Sequence, residues 1–453
     1  MSLTEKVAQF VVNLTLDDVP ARACDVAKGG IVDALGVAIA GTRTEAARIL
    51  TRWARDAGSG PHAGVIGGAF KTSLETAARV NGTIGQALDF DPPNPLLPVL
   101  LALSEFKNSP GREVLEAYVA GFEVQSNLQG GVSAKHYQHG WHSNSVFGTI
   151  AATAAASKLL KLDVWRTRMA LGIAASEAGG IRQNLGTMTK PYHAGAAAAN
   201  GVIAATLAQE GLTSAPDSLE GEFGLLRVFA TEGHYDESRI AASFGAPWNL
   251  IAKEIRIKPY PCCRASHRAL DAILALARHH AISPESVESI ECEVSAHVMQ
   301  LMAYPVASNG LQAKFCLPYC LAVAVCDSRA GLAQFEDDRV HDPLVQTLAA
   351  RVNVVHPEGL SEWGTGTPLP CILRVRLKNG AVLEKSVGAP RGDRDNPMSF
   401  NNIVEKYRDC TRDLLSQEQV DRTLTLVQDL ETLEDLRELS TIITFGLKDT
   451  ALS

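Results

Sequence analysis

A chain of 453 residues with 46% hydrophobic and 20% charged residues can bury a core large enough for two domains. Forty-two Lys and Arg against fifty Asp and Glu leave a formal charge of -8, and no block of like charge interrupts the sequence. That balance argues against a nucleic-acid or other polyanion surface, and the lack of an apolar run of spanning length argues against a membrane.

The opening stretch "MSLTEKVAQFVVNLTLDDVPARACDVAKGG" carries acids throughout and lacks a basic flank before a long apolar core. Neither a secretory signal nor a transit peptide is expected, and the cytoplasm is the expected compartment. Nine scattered cysteines without a C-x-x-C pair read as reduced thiols, so zinc is not expected. The tripeptides "NLT" and "NGT" match glycosylation acceptors by chance.

Up to about residue 250, Ala, Leu and Val recur at helical spacing between Gly, Pro and Asn breaks. "REVLEAYVAGFEVQSNL", "SVFGTIAATAAASKLL", "DVWRTRMALGIAASEAGG" and "GAAAANGVIAATLAQEG" predict helices packed closely through small residues. After "KPYPCCRASHRALDAILALARHH", whose helix should begin near Ala265, the pattern changes. "VESIECEVSAHVM" alternates as a strand does, and "CILRVRLKNGAVLEKSV" reads as two strands joined at "KNGA", with the helical "LQAKFCLPYCLAVAVCDS" between them. Residues 258 to 395 thus suggest a smaller α+β domain, and the tail from "FNNIVEKYRDC" is helical again.

"GSGPHAGVIGG" lacks the Lys-Ser/Thr of a phosphate loop, and no G-x-G-x-x-G, G-x-S-x-G, H-E-x-x-H or D-x-D-x-D-G pattern occurs. What remains is polar residues in apolar or glycine-flanked settings. "HGWHSNSVFG" holds His139 and His142 before an alanine-rich helix, with His136 just upstream; capping would account for His142 and an ordinary surface place for the other two. Lys190 and His193 precede the next alanine-rich helix, where a lysine is usually solvated. Lys258, Arg264 and His267 follow in "KPYPCCRASHRALDAI", with His267 in the first helical turn, where the dipole disfavours imidazolium; an exposed helix-start histidine is the ordinary alternative. In "LDFDPP", Asp89 and Asp91 flank Phe90 and could be plain helix-end acids. Imidazoles, cations and an acid together suit proton transfer at carbon in a small carboxylate: Lys and Arg bind carboxylates and stabilise enolate-like charge, while neutral histidine moves the proton. No organic cofactor is required.

In this order the blocks "AKGGIVDALGVAIAG", "ARVNGTIGQALDFD", "GWHSNSVFG", "MTKPYHAGAAAANGV", "KPYPCCRASHRALDAI", "QAKFCLPYCLAVAV" and "APRGDRDNPMS" resemble the MmgE/PrpD family, over nearly the whole chain. That family includes 2-methylcitrate dehydratases, cis-aconitate decarboxylases and an iminodisuccinate epimerase. The resemblance implies a mainly α protein: a large all-helical domain from residues 1–257 and 396–453, an α+β domain at 258–395, a site in the cleft where they meet, and a homodimer. It matches Asp89 to the first acid of D-F-D-D, His142 to G-W-H, and Lys190 to M-x-K-x-x-H. His267 falls on the histidine of K-P-Y-P-x-C-x-x-x-H, Tyr319 on the tyrosine of A-K-F-S-x-x-Y, and His193 on a matching position.

One departure stands out. After D-F-D the family continues with an acid, a Thr and, about ten residues on, His-Pro; here "LDFDPPNPLLPVLLAL" has Pro92 and neither Thr nor His. The dehydratase and decarboxylase members use that histidine for a proton. Cys316, where the family has Ser, is a milder change.

The resemblance implies a lyase on a small di- or tricarboxylate, first a 2-methylcitrate dehydratase, with cis-aconitate decarboxylation or epimerisation beside a carboxylate as alternatives, and a catalytically silent carboxylate binder as a further one. His142 or His267 would be the base, Lys190 and Arg264 carboxylate clamps with His193 assisting, Asp89 an orienting acid and Tyr319 a proton or hydrogen-bond donor.

Overall fold

A computed structural model of the chain describes residues 1–90, 95–242, 244–357 and 369–448, so Asp91 and Pro92 lie outside the described residues. The protein is mainly helical with an α+β second unit. One compact unit comprises Met1–Ala87, Asp91–Ile255 and Ser399–Ser453; the other comprises Leu88–Phe90 and Arg256–Met398.

The first unit contains α1 (Leu3–Asn13), α2 (Ala21–Gly41), α3 (Glu45–Asp56), α4 (Leu74–Gln86), α5 (Leu96–Lys107), α6 (Gly111–Gly131), α7 (Ser143–Leu159), α8 (Val164–Glu177) and α9 (Thr189–Gln209). Small residues set how these helices meet, because interaxial distance follows side-chain size at the crossing. A Cβ on Gly82 of α4 would lie 2.9 Å from the Cα of Gly195 on α9, and one on Gly201 of α9 would meet the Ala152 Cβ of α7 at 2.5 Å. No larger residue fits either crossing. The alanine-rich α9 is therefore wedged between α4 and α7, fully in the manner its composition predicts, but it starts earlier than expected. Lys190 and His193 lie inside its first turns rather than before it, since Pro191 is compatible with a helical first turn. The tail helix Phe400–Thr411 packs on α2, where the Lys406 ammonium meets the buried Asp33 carboxylate at 2.7 Å.

The second unit is built on a four-stranded sheet. Its strands are β1 (Val287–Glu293), β2 (Val352–Val355), β3 (Cys371–Leu377) and β4 (Val382–Val387), in the order β2-β1-β3-β4. β1 pairs antiparallel with β3, and β3 antiparallel with β4; β1 and β2 are parallel. The hairpin turn falls at "KNGA" as predicted: Gly380 adopts φ +87°, and the Leu377 amide donates to the Ala381 carbonyl at 2.8 Å. Alternation along β3 buries Cys371, Leu373 and Val375 against α10 (His267–His280) and α11 (Leu317–Asp327). The expected strand through "SAHVM" stops short. Ser295 accepts a hydrogen bond from the Val298 amide and starts a helix at Ala296, because a serine N-cap satisfies an amide that a strand edge would leave open.

Candidate functional site

Polar groups gather in each unit. In the first, the backbone of His142 precedes α7 as its N-cap, but its ring makes no capping bond. Instead its Nδ1 lies 3.0 Å from Nδ1 of His193 on α9, with both residues buried. The capping role considered for His142 is thus carried by its backbone alone. A hydrogen bond between two Nδ1 atoms needs a hydrogen on one of them only, so one ring donates and the other accepts through a single bridging proton, and protonating both rings would set two cations side by side. Burial, followed by the nearby Lys190 ammonium, lowers the pKa of His193.

Lys190 lies one helical turn before His193, on the same face of α9. Its ammonium is buried and donates to Oε1 of Gln86, the last residue of α4, at 3.1 Å. A cation in the first turn opposes the positive end of the helix dipole, so this position gains from an anion placed beside it. Gly180, at φ +106°, carries the preceding loop against this pair: a Cβ there would stand 3.3 Å from Cγ of His193, and its carbonyl accepts from the His142 amide at 3.0 Å.

His136, expected at the surface, is buried: Nδ1 lies 3.1 Å from the Phe229 carbonyl and the ring rests on Phe147. An aromatic body with one satisfied nitrogen packs well in an apolar site, and burial lowers its pKa. His139 is exposed, as expected.

In the second unit, Asp89 adopts φ +53°, a left-handed conformation that aspartate tolerates better than most residues. Two lysines hold it there. Lys258 donates to both the carbonyl and the Oδ1 of Asp89, each at 2.8 Å, while Lys314 donates to the carbonyls of Leu88 at 2.7 Å and Pro261 at 2.9 Å. Lys314, absent from the sequence reading, is 5% exposed; burial, partly offset by Asp89, pushes its pKa down to about 8. The one signal for it was a cation within the apolar run "LQAKFCLPYC".

The remaining residues occupy other places in this unit. His267 begins α10, not exposed but wholly buried, with Nε2 donating to the Cys262 carbonyl at 3.2 Å. Arg264 pairs with Asp393 at 3.0 Å and reaches the Gly392 carbonyl at 3.3 Å, and burial lowers its pKa. The hydroxyl of Tyr319, on α11, donates to the Gln334 carbonyl, and burial raises its pKa. The structure therefore brings together His142, His193 and Lys190 in one unit, and surrounds Asp89 with Lys258 and Lys314 in the other.

All nine cysteines are free thiols, and the described residues contain no group of three or more side chains suited to a metal ion. Among them, no helix is long and apolar enough to cross a membrane.

The chain thus combines a helical unit and an α+β unit, each with a buried lysine beside proton-carrying or acidic side chains. The MmgE/PrpD N-terminal domain matches residues 5–238 and the MmgE/PrpD C-terminal domain residues 260–432, and the chain belongs to the MmgE/PrpD family. It is 29% identical to a cis-aconitate decarboxylase of Mus musculus, over 98% of this chain and 93% of the relative. The corresponding figures for the Homo sapiens cis-aconitate decarboxylase are 29%, 98% and 94%. For that of Aspergillus terreus (strain NIH 2624 / FGSC A1156) they are 28%, 98% and 96%.

Proposed function

We propose that the protein is a cofactor-independent lyase acting on a small di- or tricarboxylate, and that its reaction is the decarboxylation of cis-aconitate or a close structural relative of it. The observation that carries this reading is the 3.0 Å contact between His142 and His193, one helical turn from the Lys190 ammonium. A substrate carboxylate would ion-pair with Lys190 and also meet the positive end of α9. Loss of carbon dioxide from a second carboxylate leaves an electron pair that delocalises toward a remaining carboxylate as enolate-like charge, which the ammonium stabilises. A pair that has taken up one proton beyond its two neutral rings gives that proton to carbon, returns to the neutral state and is reprotonated from solvent. For cis-aconitate the balance is one proton in, one carbon dioxide out, and itaconate as product. A histidine pair able to hold and release one extra proton suits this reaction, and the names of the relatives support reading decarboxylation first, before the dehydration first expected.

Dehydration of a 2-methylcitrate-like hydroxy acid is the second reading, favoured by an apolar cavity bordered by Gln86. The test is a proton NMR time course in deuterated buffer with cis-aconitate, citrate and 2-methylcitrate. Itaconate carrying one deuterium supports the first reading, alkene formation with loss of water the second, and exchange without net change an epimerase. Absence of turnover together with absence of ligand-induced thermal stabilisation defeats the proposal.

A further inference from the structure

The first unit encloses a small cavity between α2, α4, α5 and α9. Its walls include Ala38, Gly85, Gln86, Pro95, Leu101 and Ala194. Two features tie it to the polar group. Gln86 accepts the hydrogen bond from Lys190 at 3.1 Å, and Ala194 directly follows His193 on α9. The cavity offers a ligand little else that is polar. Asn81 also borders it, but its Oδ1 already accepts from the Ile66 amide and its Nδ2 donates to the Gly64 carbonyl, both at 2.9 Å. At Gly85 the wall is open: an added Cβ would find only the Ala38 Cβ, 3.9 Å away.

We propose that this cavity is a substrate subsite for a methyl- or ethyl-sized apolar substituent, so that within the proposed reaction the preferred substrate is the close relative of cis-aconitate rather than cis-aconitate itself: a dicarboxylate with a short alkyl arm in place of the third carboxylate, with Gly85 setting the arm's length. The inference rests on the reading of Lys190 as the carboxylate grip. An alkyl arm gains by leaving water for apolar walls, about four-fold in affinity per methylene. A carboxylate arm in the same space would exchange its hydration for mostly apolar walls. The sequence agrees at the same wall. The stretch leading into α5, which in the family pattern supplies Thr and His, supplies prolines and leucines here, and Pro95, Leu97 and Pro98 line the cavity.

The experiment is calorimetric binding to the full-length protein of succinate, methylsuccinate, ethylsuccinate and propane-1,2,3-tricarboxylate. Wild type should bind the alkyl series about four-fold more tightly per added carbon, and should bind the tricarboxylate more weakly than ethylsuccinate. Gly85→Val, which fills the space, should flatten the alkyl series. Gly85→Ala, a helix-favouring change that guards against misfolding, should shorten it by one carbon. Tighter binding of the tricarboxylate, or an alkyl series unchanged in both variants, overturns the subsite and leaves the cavity a packing void. Loss of all four ligands in Lys190→Met separates the two ideas: it upholds the carboxylate grip whatever the alkyl series shows. Failure of wild type to bind any of the four defeats the grip and the subsite together.

Discussion

Replacing Lys314 by methionine isolates the energetics of a buried cation. The ammonium is 5% exposed, lies 5.2 Å from the centre of the Phe335 ring, and is faced by Asp89, Cys262, Lys258 and Glu336. Its pKa falls from 10.5 to about 8, chiefly through burial. At about 1.4 kcal/mol per tenfold change in proton affinity, that drop is about 3 kcal/mol. Because the folded pKa is depressed, the unfolded chain binds the proton more tightly between pH 8 and 10.5. The penalty is therefore present in full at pH 7, and stability rises as pH climbs through that window. Lys314→Met removes the charge but strips the Leu88 and Pro261 carbonyls of their donor, at about 1–3 kcal/mol each. At pH 7 the two effects oppose one another, leaving the variant between about 1 kcal/mol more stable and about 3 kcal/mol less stable than wild type. By pH 9.5 wild type has recovered about 2 kcal/mol that the variant never lost. Urea denaturation at both pH values, with an NMR titration of ε-carbon-labelled lysine, gives the comparison. A stability difference that is constant with pH, or a Lys314 resonance that titrates near 10.5, would refute the reasoning.

Burial and the Lys190 charge hold the His193 imidazole neutral below the ordinary histidine value of 6.5, so its ring resonance should titrate below that point, and Lys190→Met should move the midpoint up. Because His142 and His193 share one proton, His142→Asn and His193→Asn should each lower kcat by about 10²–10⁴, with the double variant little worse than either single one; additive losses would mean two independent groups. Gly82→Ala should lower Tm although alanine is the better helix former, since the added Cβ would stand 2.9 Å from the Gly195 Cα and force α4 from α9 at a cost of about 1–3 kcal/mol. The same shift separates Gln86 from Lys190, so KM should rise as well, which steady-state kinetics measures.

How much of this could be read from the sequence follows from what each feature depends on. Periodicity and turn chemistry are local, so the small-residue helices and the "KNGA" hairpin are visible in a single stretch of chain. The parallel strand β2 is not, because four residues, "VNVV", carry too little pattern to mark an element whose partner β1 lies more than fifty residues away. The candidate site divides in the same way. Residue types pointed to His142, Lys190, His193 and Asp89, each a polar group in an apolar setting, but not to their partners. The His142–His193 contact spans 51 residues, and the bonds fixing Leu88 and Asp89 come from lysines 226 and 169 residues away. For that reason residue type alone does not single out Lys314, although a lysine inside an apolar helix-forming run has only two physical options: reach solvent along its own stem, or be held by buried carbonyls. The second is what the fold provides, and it places Leu88–Phe90 with the α+β unit while the residues just before belong to the helical one. A break in domain membership three residues long has no compositional signature; only the hydrogen bonds that impose it reveal it.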